Sequence, residues 1–257
     1  MNKGLDAVAK AKTNRKLIVV GILAYFVFLL AIFPLNIAYK LLDPKGLPIK
    51  VVSVSGTLWN GNIVLKPALV GQLQVNWELS PSALITGEVA SKFKVKGTQL
   101  EGKGNIGIAL NGDVTLSKIS AYVNADLINK PLRSQKVNIQ GDVELIQTNI
   151  VFNIKSKQTS FASGRLVWAG GDVQYPKGRN KKKSNLPMLV ADISSLNGEL
   201  LAQVKTDSGQ NVAKANLKTD GWASVAIQKR MIDLLGEPWP NKATADSVIF
   251  EVSEKVF

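Results

Sequence analysis

The sequence predicts a mainly β protein. It reads as an N-terminal transmembrane helix followed by a twisted, curved antiparallel β-sheet domain with one short amphipathic helix near the C-terminus. Three observations carry this reading. An uncharged run from Leu17 to Phe33 follows a basic N-terminal tail. Beyond it, apolar and polar residues alternate with period two over many short stretches. Glycines and Asn-Gly pairs break those stretches at hairpin-like intervals.

The tail, residues 1–16, holds Lys3, Lys10, Lys12, Arg15 and Lys16 against one acid, Asp6. The run from 17 to 33 covers roughly 26 Å as a helix. Continuing through Leu35-Asn36-Ile37-Ala38-Tyr39 takes it past the ~30 Å hydrocarbon core, so residues 17–39 are expected to form a signal-anchor. The basic flank marks the cytoplasmic end and puts residues 40–257 on the far side of an inner membrane. A cleaved signal would have an apolar core of about 7–15 residues and a small-x-small site. The stretch from Pro34 to Lys40 offers none.

Composition narrows the chemistry. The chain has no cysteine and no histidine. An exported domain without disulfides is held by its own packing, which fits a bacterial envelope. The lack of histidine removes Ser-His-Asp and Cys-His nucleophile systems and most zinc sites. The net charge is +13. Lys177, Arg179, Lys181, Lys182 and Lys183 concentrate part of it in a segment rich in loop formers, read as a solvated loop or as a patch for anionic lipid or an acidic partner. No aromatic residue sits among these charges, so nucleic acid is not an expected partner.

The strands follow in order. Leu73, Val75, Trp77 and Leu79 alternate with Gln72, Gln74, Asn76 and Glu78. Val137, Ile139, Val143 and Leu145 alternate with polar neighbours, and Ile150, Phe152 and Ile154 alternate with Val151, Asn153 and Lys155. Such alternation means one half-buried face and favours antiparallel sheet. Asn60-Gly61, Asn111-Gly112 and Asn197-Gly198 are the expected turns. Two echoes suggest related β halves, 46–130 and 131–257, joined near Asn129-Lys130-Pro131. One sets Ser55-Gly56-Thr57-Leu58-Trp59 against Ser163-Gly164-Arg165-Leu166-Val167-Trp168. The other is an apolar-polar-Gly-acid phrase at 110–113, 139–142 and 196–199. The stretch 121–128 reads as helix or strand. From Ala223 to Leu235, helical spacing of Ile227, Met231 and Leu234 ends at Gly236 and Pro238 and predicts the amphipathic helix. A last strand is expected over 247–252.

No catalytic constellation emerges. Ser91-x-x-Lys94 would point to opposite faces of a strand. The acids form no metal loop, and the Gly97–Gly107 run lacks a phosphate-loop ending. No catalytic residue, cofactor, metal or small-molecule substrate is expected. Trp59, Trp77 and Trp168 read as packing residues. Trp239, between Pro238 and Pro240, reads as a partner contact.

One phrase is specific. Ser55-Gly56-Thr57-Leu58-Trp59-Asn60-Gly61 follows the anchor, and Trp77-Glu78-Leu79-Ser80-Pro81 follows some fifteen residues later. In that order and position they resemble the type II secretion system protein N family. The resemblance implies a short cytoplasmic tail, one inner-membrane helix and a periplasmic β domain. It also implies a non-enzymatic accessory and assembly subunit of the machine that exports folded proteins from the periplasm. The implied partners are other inner-membrane secretion subunits and the outer-membrane secretin. The motif residues Ser55, Gly56, Thr57, Leu58, Trp59, Gly61, Trp77, Leu79 and Pro81 read as structural. The Gly-acid-apolar phrases distantly resemble AsmA-like envelope proteins, which implies the alternative of an inner-membrane-anchored lipid-binding or lipid-transfer module.

Overall fold

The computed structural model describes residues 20–22, 25, 32–42, 50–240 and 242–256. The tail 1–16 and most of the expected anchor lie outside them. Residues 20–22, 25 and 32 are helical, Phe33 and Pro34 are not, and helix α1 (Leu35–Leu42) starts afresh. A proline disfavours helical geometry in the residue before it, which accounts for a break here rather than one rod over 17–39. No described helix is long and apolar enough to cross a membrane.

Beyond α1 the chain is almost all strand. In order come β1 (Lys50–Gly56), β2 (Asn60–Lys66), β3 (Leu73–Ser80), β4 (Glu88–Gly97), β5 (Leu100–Ala109) and β6 (Asp113–Val123). Helix α2 (Ala125–Leu132) leads to β7 (Asn138–Ile139), β8 (Val143–Asn153), β9 (Gln158–Trp168), β10 (Gly171–Lys177) and β11 (Asn180–Leu186). Then follow β12 (Leu189–Leu196), β13 (Glu199–Thr206), β14 (Asn211–Leu217), β15 (Trp222–Gln228), α3 (Lys229–Leu234) and β16 (Val248–Lys255). Thirteen of these strands form one sheet, ordered β1 to β6, β8, β9, then β12 to β16. Every neighbouring pair is antiparallel. A second sheet of three strands, β11-β10-β7, stands apart.

Register explains the alternation. Trp77 pairs with Phe93, Ile106 with Leu116, Leu116 with Ile150, and Ile150 with Ala162. Further on, Ala202 pairs with Ala215, Ala215 with Val225 and Val225 with Val252. These make one continuous apolar face. The other carries Glu78 opposite Lys92, Lys94 opposite Lys103 and Glu101 opposite Tyr122. The apolar face is only half covered. Among the described residues the buried hydrophobics are Leu73, Ala162, Leu186, Leu189, Ala191, Val212 and Ala213, most of them on β9 and β12 to β14. The core therefore sits in that half, where helix α3 packs against β14 and β15.

The sheet bends along a line of bulges. Register shifts occur at Lys103/Asn105, at Leu116/Ile119 and at Ile146/Asn149, on three successive strands. Lys118 and Gln147 adopt positive φ there, 53° and 40°. Side chains take over from the broken ladder. Asn149 Oδ1 accepts from the Lys118 N–H at 2.9 Å, its Nδ2 donates to the Gln147 carbonyl at 3.0 Å, and Ser120 Oγ accepts from the Gln147 N–H at 3.3 Å. Bulges re-aim strands and raise local twist, so this line is where the sheet can curve.

The junction near residue 130 is not a gap in the sheet, because β6 pairs directly with β8. The intervening segment folds at the strand ends. Asn124 caps α2 through the Asp126 N–H at 3.0 Å. Asp142 accepts from the Ala125 N–H at 3.0 Å, from Asn124 Nδ2 at 3.1 Å and from the Tyr122 hydroxyl. The tyrosine bond, then the Ala125 N–H, holds the Asp142 carboxyl below its usual range. Buried Asn129 imitates a strand partner: its Nδ2 donates to the Ile139 carbonyl and its Oδ1 accepts from the Ile139 N–H, both at 2.8 Å.

Three local expectations are corrected. Asn111-Gly112 and Asn197-Gly198 do lie between paired strands, but Asn60-Gly61 opens β2 and the turn precedes it. The helical reading of 223–235 splits, since Ala223, Val225 and Ile227 pair as strand β15 and only Lys229–Leu234 is helix. The basic loop forms strands β10 and β11.

Replacing Asn149 by Ala leaves the Lys118 N–H and Gln147 carbonyl without that partner. Stability is expected to fall by about 1–3 kcal/mol, read as a lower denaturant midpoint at unchanged slope.

Candidate functional site

Two places gather the residues singled out by sequence. The first is the N-terminal corner of the sheet. Gly56 ends β1 at φ 90°, where a side chain would be strained and would meet the Asn60 carbonyl. The chain then turns tightly: the Thr57 N–H donates to the Asn60 carbonyl at 2.9 Å, and Thr57 Oγ1 accepts from the Asn60 N–H at 3.3 Å. Trp77, one strand away, closes the corner. Its Nε1–H donates to the Leu58 carbonyl at 3.0 Å. Its ring lies over Gly61, and a Cβ there would stand 2.2 Å from Cζ2. The Leu79 N–H donates to the Trp59 carbonyl at 2.7 Å. Pro81 opens a 3-10 turn, Pro81–Thr86, in the next loop. Ser55 faces Asn62 across the hairpin. The motif residues are thus one assembly, and Pro34 pairs with Thr57 at its outer side. The chain leaving the apolar run is tied to the sheet here.

The second place is the basic hairpin. Strands β10 and β11 pair in continuous register from Gly171–Leu186 to Lys177–Asn180. Glu237, in the loop after α3, accepts from Lys177 Nζ, from Lys182 Nζ at 2.8 Å and from the Tyr175 hydroxyl at 2.7 Å. Ser184 Oγ donates to the Leu235 carbonyl at 2.6 Å, and Lys182 also reaches the Gly236 carbonyl at 3.1 Å. Lys183 pairs with Asp172 at 2.6 Å, and that ammonium holds the Asp172 carboxyl below its usual range. Lys177, Lys182 and Tyr175 together depress Glu237 from 4.5 to about 2. Two of the five charges, Lys177 and Lys182, therefore dock the hairpin, and Lys183 pairs within it. Among the described residues no acid pairs with Arg179 or Lys181, which flank the exposed tip.

Trp239, two residues beyond Glu237, is stacked edge-on against Phe250 with ring centroids 5.3 Å apart. Trp168 Nε1 donates to the Gln140 carbonyl at 2.8 Å. Ser91 and Lys94 fall on opposite faces of β4. Sequence reading missed Glu237, Asp142, Asn129 and Asn149. Their partners are 10 to 60 residues away in most cases, and no local pattern marks them.

Corner, sheet and docked hairpin define a class: an antiparallel β protein built on one large sheet with a small second one, entered through a tryptophan-locked corner. The chain belongs to the family described as type II secretion system (T2SS), protein N, whose profile matches residues 48–233. It is similar to the type II secretion system protein N of Vibrio cholerae serotype O1, with 28% identity over 145 residues, 53% of this chain and 56% of that protein. It is also 28% identical to the protein of the same name from Aeromonas hydrophila over 165 residues, 62% of this chain and 63% of that one. The alignments thus span between half and two thirds of these relatives.

Two outcomes follow from the geometry. Gly61→Ala drives a methyl into the Trp77 ring and is expected to cost about 1–3 kcal/mol, measured as a lowered unfolding midpoint with altered tryptophan emission. The Glu237 carboxyl is depressed in the folded state, so its stabilisation is complete above 4.5 and is lost as pH falls toward about 2. Amide protection over residues 171–186, corrected for intrinsic exchange, should drop through that window by hydrogen–deuterium exchange. Glu237→Gln should lower it already at neutral pH.

Proposed function

We propose that the protein is a non-enzymatic accessory and assembly subunit of a type II secretion system. The residues 17–33 anchor it in the inner membrane with the N-terminus cytoplasmic, and the sheet stands in the periplasm. The observation that carries the reading is the family match over residues 48–233, which covers the corner, the whole bend and most of the sheet. The corner supports a holding role. Its polar groups are spent on turn and clamp bonds, and it joins the incoming apolar chain to the first hairpin. The partners on this reading are other inner-membrane secretion subunits and the outer-membrane secretin. Arg179, Lys181 and the hairpin tip are the charged surface offered to an acidic partner.

A second reading rests on one feature, the half-covered apolar face. Ile108, Leu166, Val225 and Val252 lie on it with a third or more of their surface exposed. Such a face suits acyl chains, as in a lipid-binding or lipid-transfer module.

Chromosomal deletion of the coding sequence is expected to abolish or sharply reduce export of secreted enzymes while leaving them folded in the periplasm. Full-length protein restores export, and a chain lacking residues 1–33 does not. Undiminished export in the deletion strain rejects the secretion role. Stoichiometric phospholipid in gently extracted protein, by mass spectrometry, would favour the second reading.

A further inference from the structure

The two ends of the large sheet differ in chemistry. Six hairpins turn at one end: β1–β2, β3–β4, β5–β6, β8–β9, β12–β13 and β14–β15. Each displays a large apolar residue at or beside its tip. Ile85 and Leu110 are 89% and 85% exposed, and Leu58, Ile154, Leu196 and Trp222 are 43–61% exposed. At the opposite end two connections are polar, Thr98-Gln99 and Asp207-Ser208-Gly209-Gln210, three are folded into α2, the small sheet and α3, and one, Pro67 to Gln72 between β2 and β3, is apolar. Leu69 and Met188 are the exposed large hydrophobics among the described loop residues there. Single exposed apolar residues are ordinary, but one on every hairpin of one end is a contiguous feature.

The chain supplies the occupant. Pro34 pairs with Thr57 in the β1–β2 turn, at the apolar end. The uncharged run 17–33 therefore reaches the sheet beside this rim. We propose that the rim of hairpin tips rests in the surface of the same bilayer that holds the run, with the strands standing away from it. The proposal rests on the part of the preceding reading that places 17–33 in the membrane. Interfacial amphipathic helices bury their apolar face about 5–10 Å into the headgroup and acyl boundary, and apolar tips of this size need no greater depth. Trp222 is the residue type favoured at that depth. The tips carry Lys155, Lys157 and Lys218 beside Asp220, and Glu88, Asp113 and Glu199 open the adjoining strands, so acids offset the lysines and apolar insertion drives the contact rather than attraction to anionic lipid.

The absence of native cysteine makes the test direct. Single substitutions Ile85→Cys, Leu110→Cys and Leu196→Cys in the full chain carry an environment-sensitive fluorophore on the rim. Ser208→Cys labels the opposite end, and Ile22→Cys labels the apolar run. Each protein is reconstituted in phosphatidylcholine and phosphatidylglycerol vesicles with and without nitroxide-labelled lipid. Rim and Ile22 probes are expected to be blue-shifted and to lose emission to the nitroxide, while the Ser208 probe keeps its emission. If the Ile22 probe is quenched but the rim probes stay bright and open to aqueous iodide, the rim proposal falls and the anchor stands. If neither is quenched, both fall. Rim probes shielded from iodide yet blind to lipid nitroxide would overturn the proposal in favour of a protein contact.

Discussion

The fold depends on one constraint: thirteen strands share a single hydrogen-bond ladder, and among the described residues only part of their apolar face is covered. In a two-layer domain, burial between layers dominates. Here Val212 and Thr148 are the largest side chains that are fully buried. Each strand is held mainly by its neighbours and by side chains lying along the sheet, as Trp77 lies over Gly61 and Thr148 against Gly164. A flat sheet of this width would leave its apolar face fully open. Bending at the bulge line brings side chains of neighbouring strands closer on that face. The bend is stable because Asn149 and Ser120 satisfy the backbone groups that the bulges release.

The same constraint explains which parts were legible in the sequence. Alternation is a local signal, and a one-sided sheet displays it on nearly every strand, so the β class and most strand positions could be read directly. The turn at Thr57 could not. Asn60-Gly61 carries the common hairpin signature, yet Gly61 is there for the Trp77 ring sixteen residues on, a cross-strand requirement with no local mark. Helical spacing over 223–235 failed for a related reason. Ile227 fits both periods, and pairing with β14 and β16 decided for strand. The basic segment looked like solvent loop because Glu237, which neutralises two of its lysines, lies some 55 to 60 residues away.

The repeated phrases carry a separate lesson. Asn111-Gly112 and Asn197-Gly198 turn hairpins at the apolar rim, whereas Gly141-Asp142 leads into β8 at the opposite end. Ser55-Gly56 sits at a turn, while Ser163-Gly164 is mid-strand in β9. Short polar-Gly-acid phrases recur because antiparallel sheets keep reusing the same turn chemistry. Position in the sheet, rather than the phrase, separates a shared fold from a shared vocabulary.

The two ends of the ladder assign different roles to the two charged and apolar features. Strands of seven to eleven residues extend roughly 23–36 Å, and the hairpin is docked at the end of the sheet opposite the rim. A rim seated on the bilayer places Arg179 and Lys181 well beyond the reach of its surface potential, which decays within about 8–10 Å. On that proposal the basic tip stands out of reach of the headgroups of that membrane. On the same proposal the tip is left to meet an acidic surface on the side away from that membrane, at a height that the strand length sets. The salt bridges to Glu237 fit that use, since they hold the hairpin at a fixed position on the sheet and leave its two tip charges free to meet a partner.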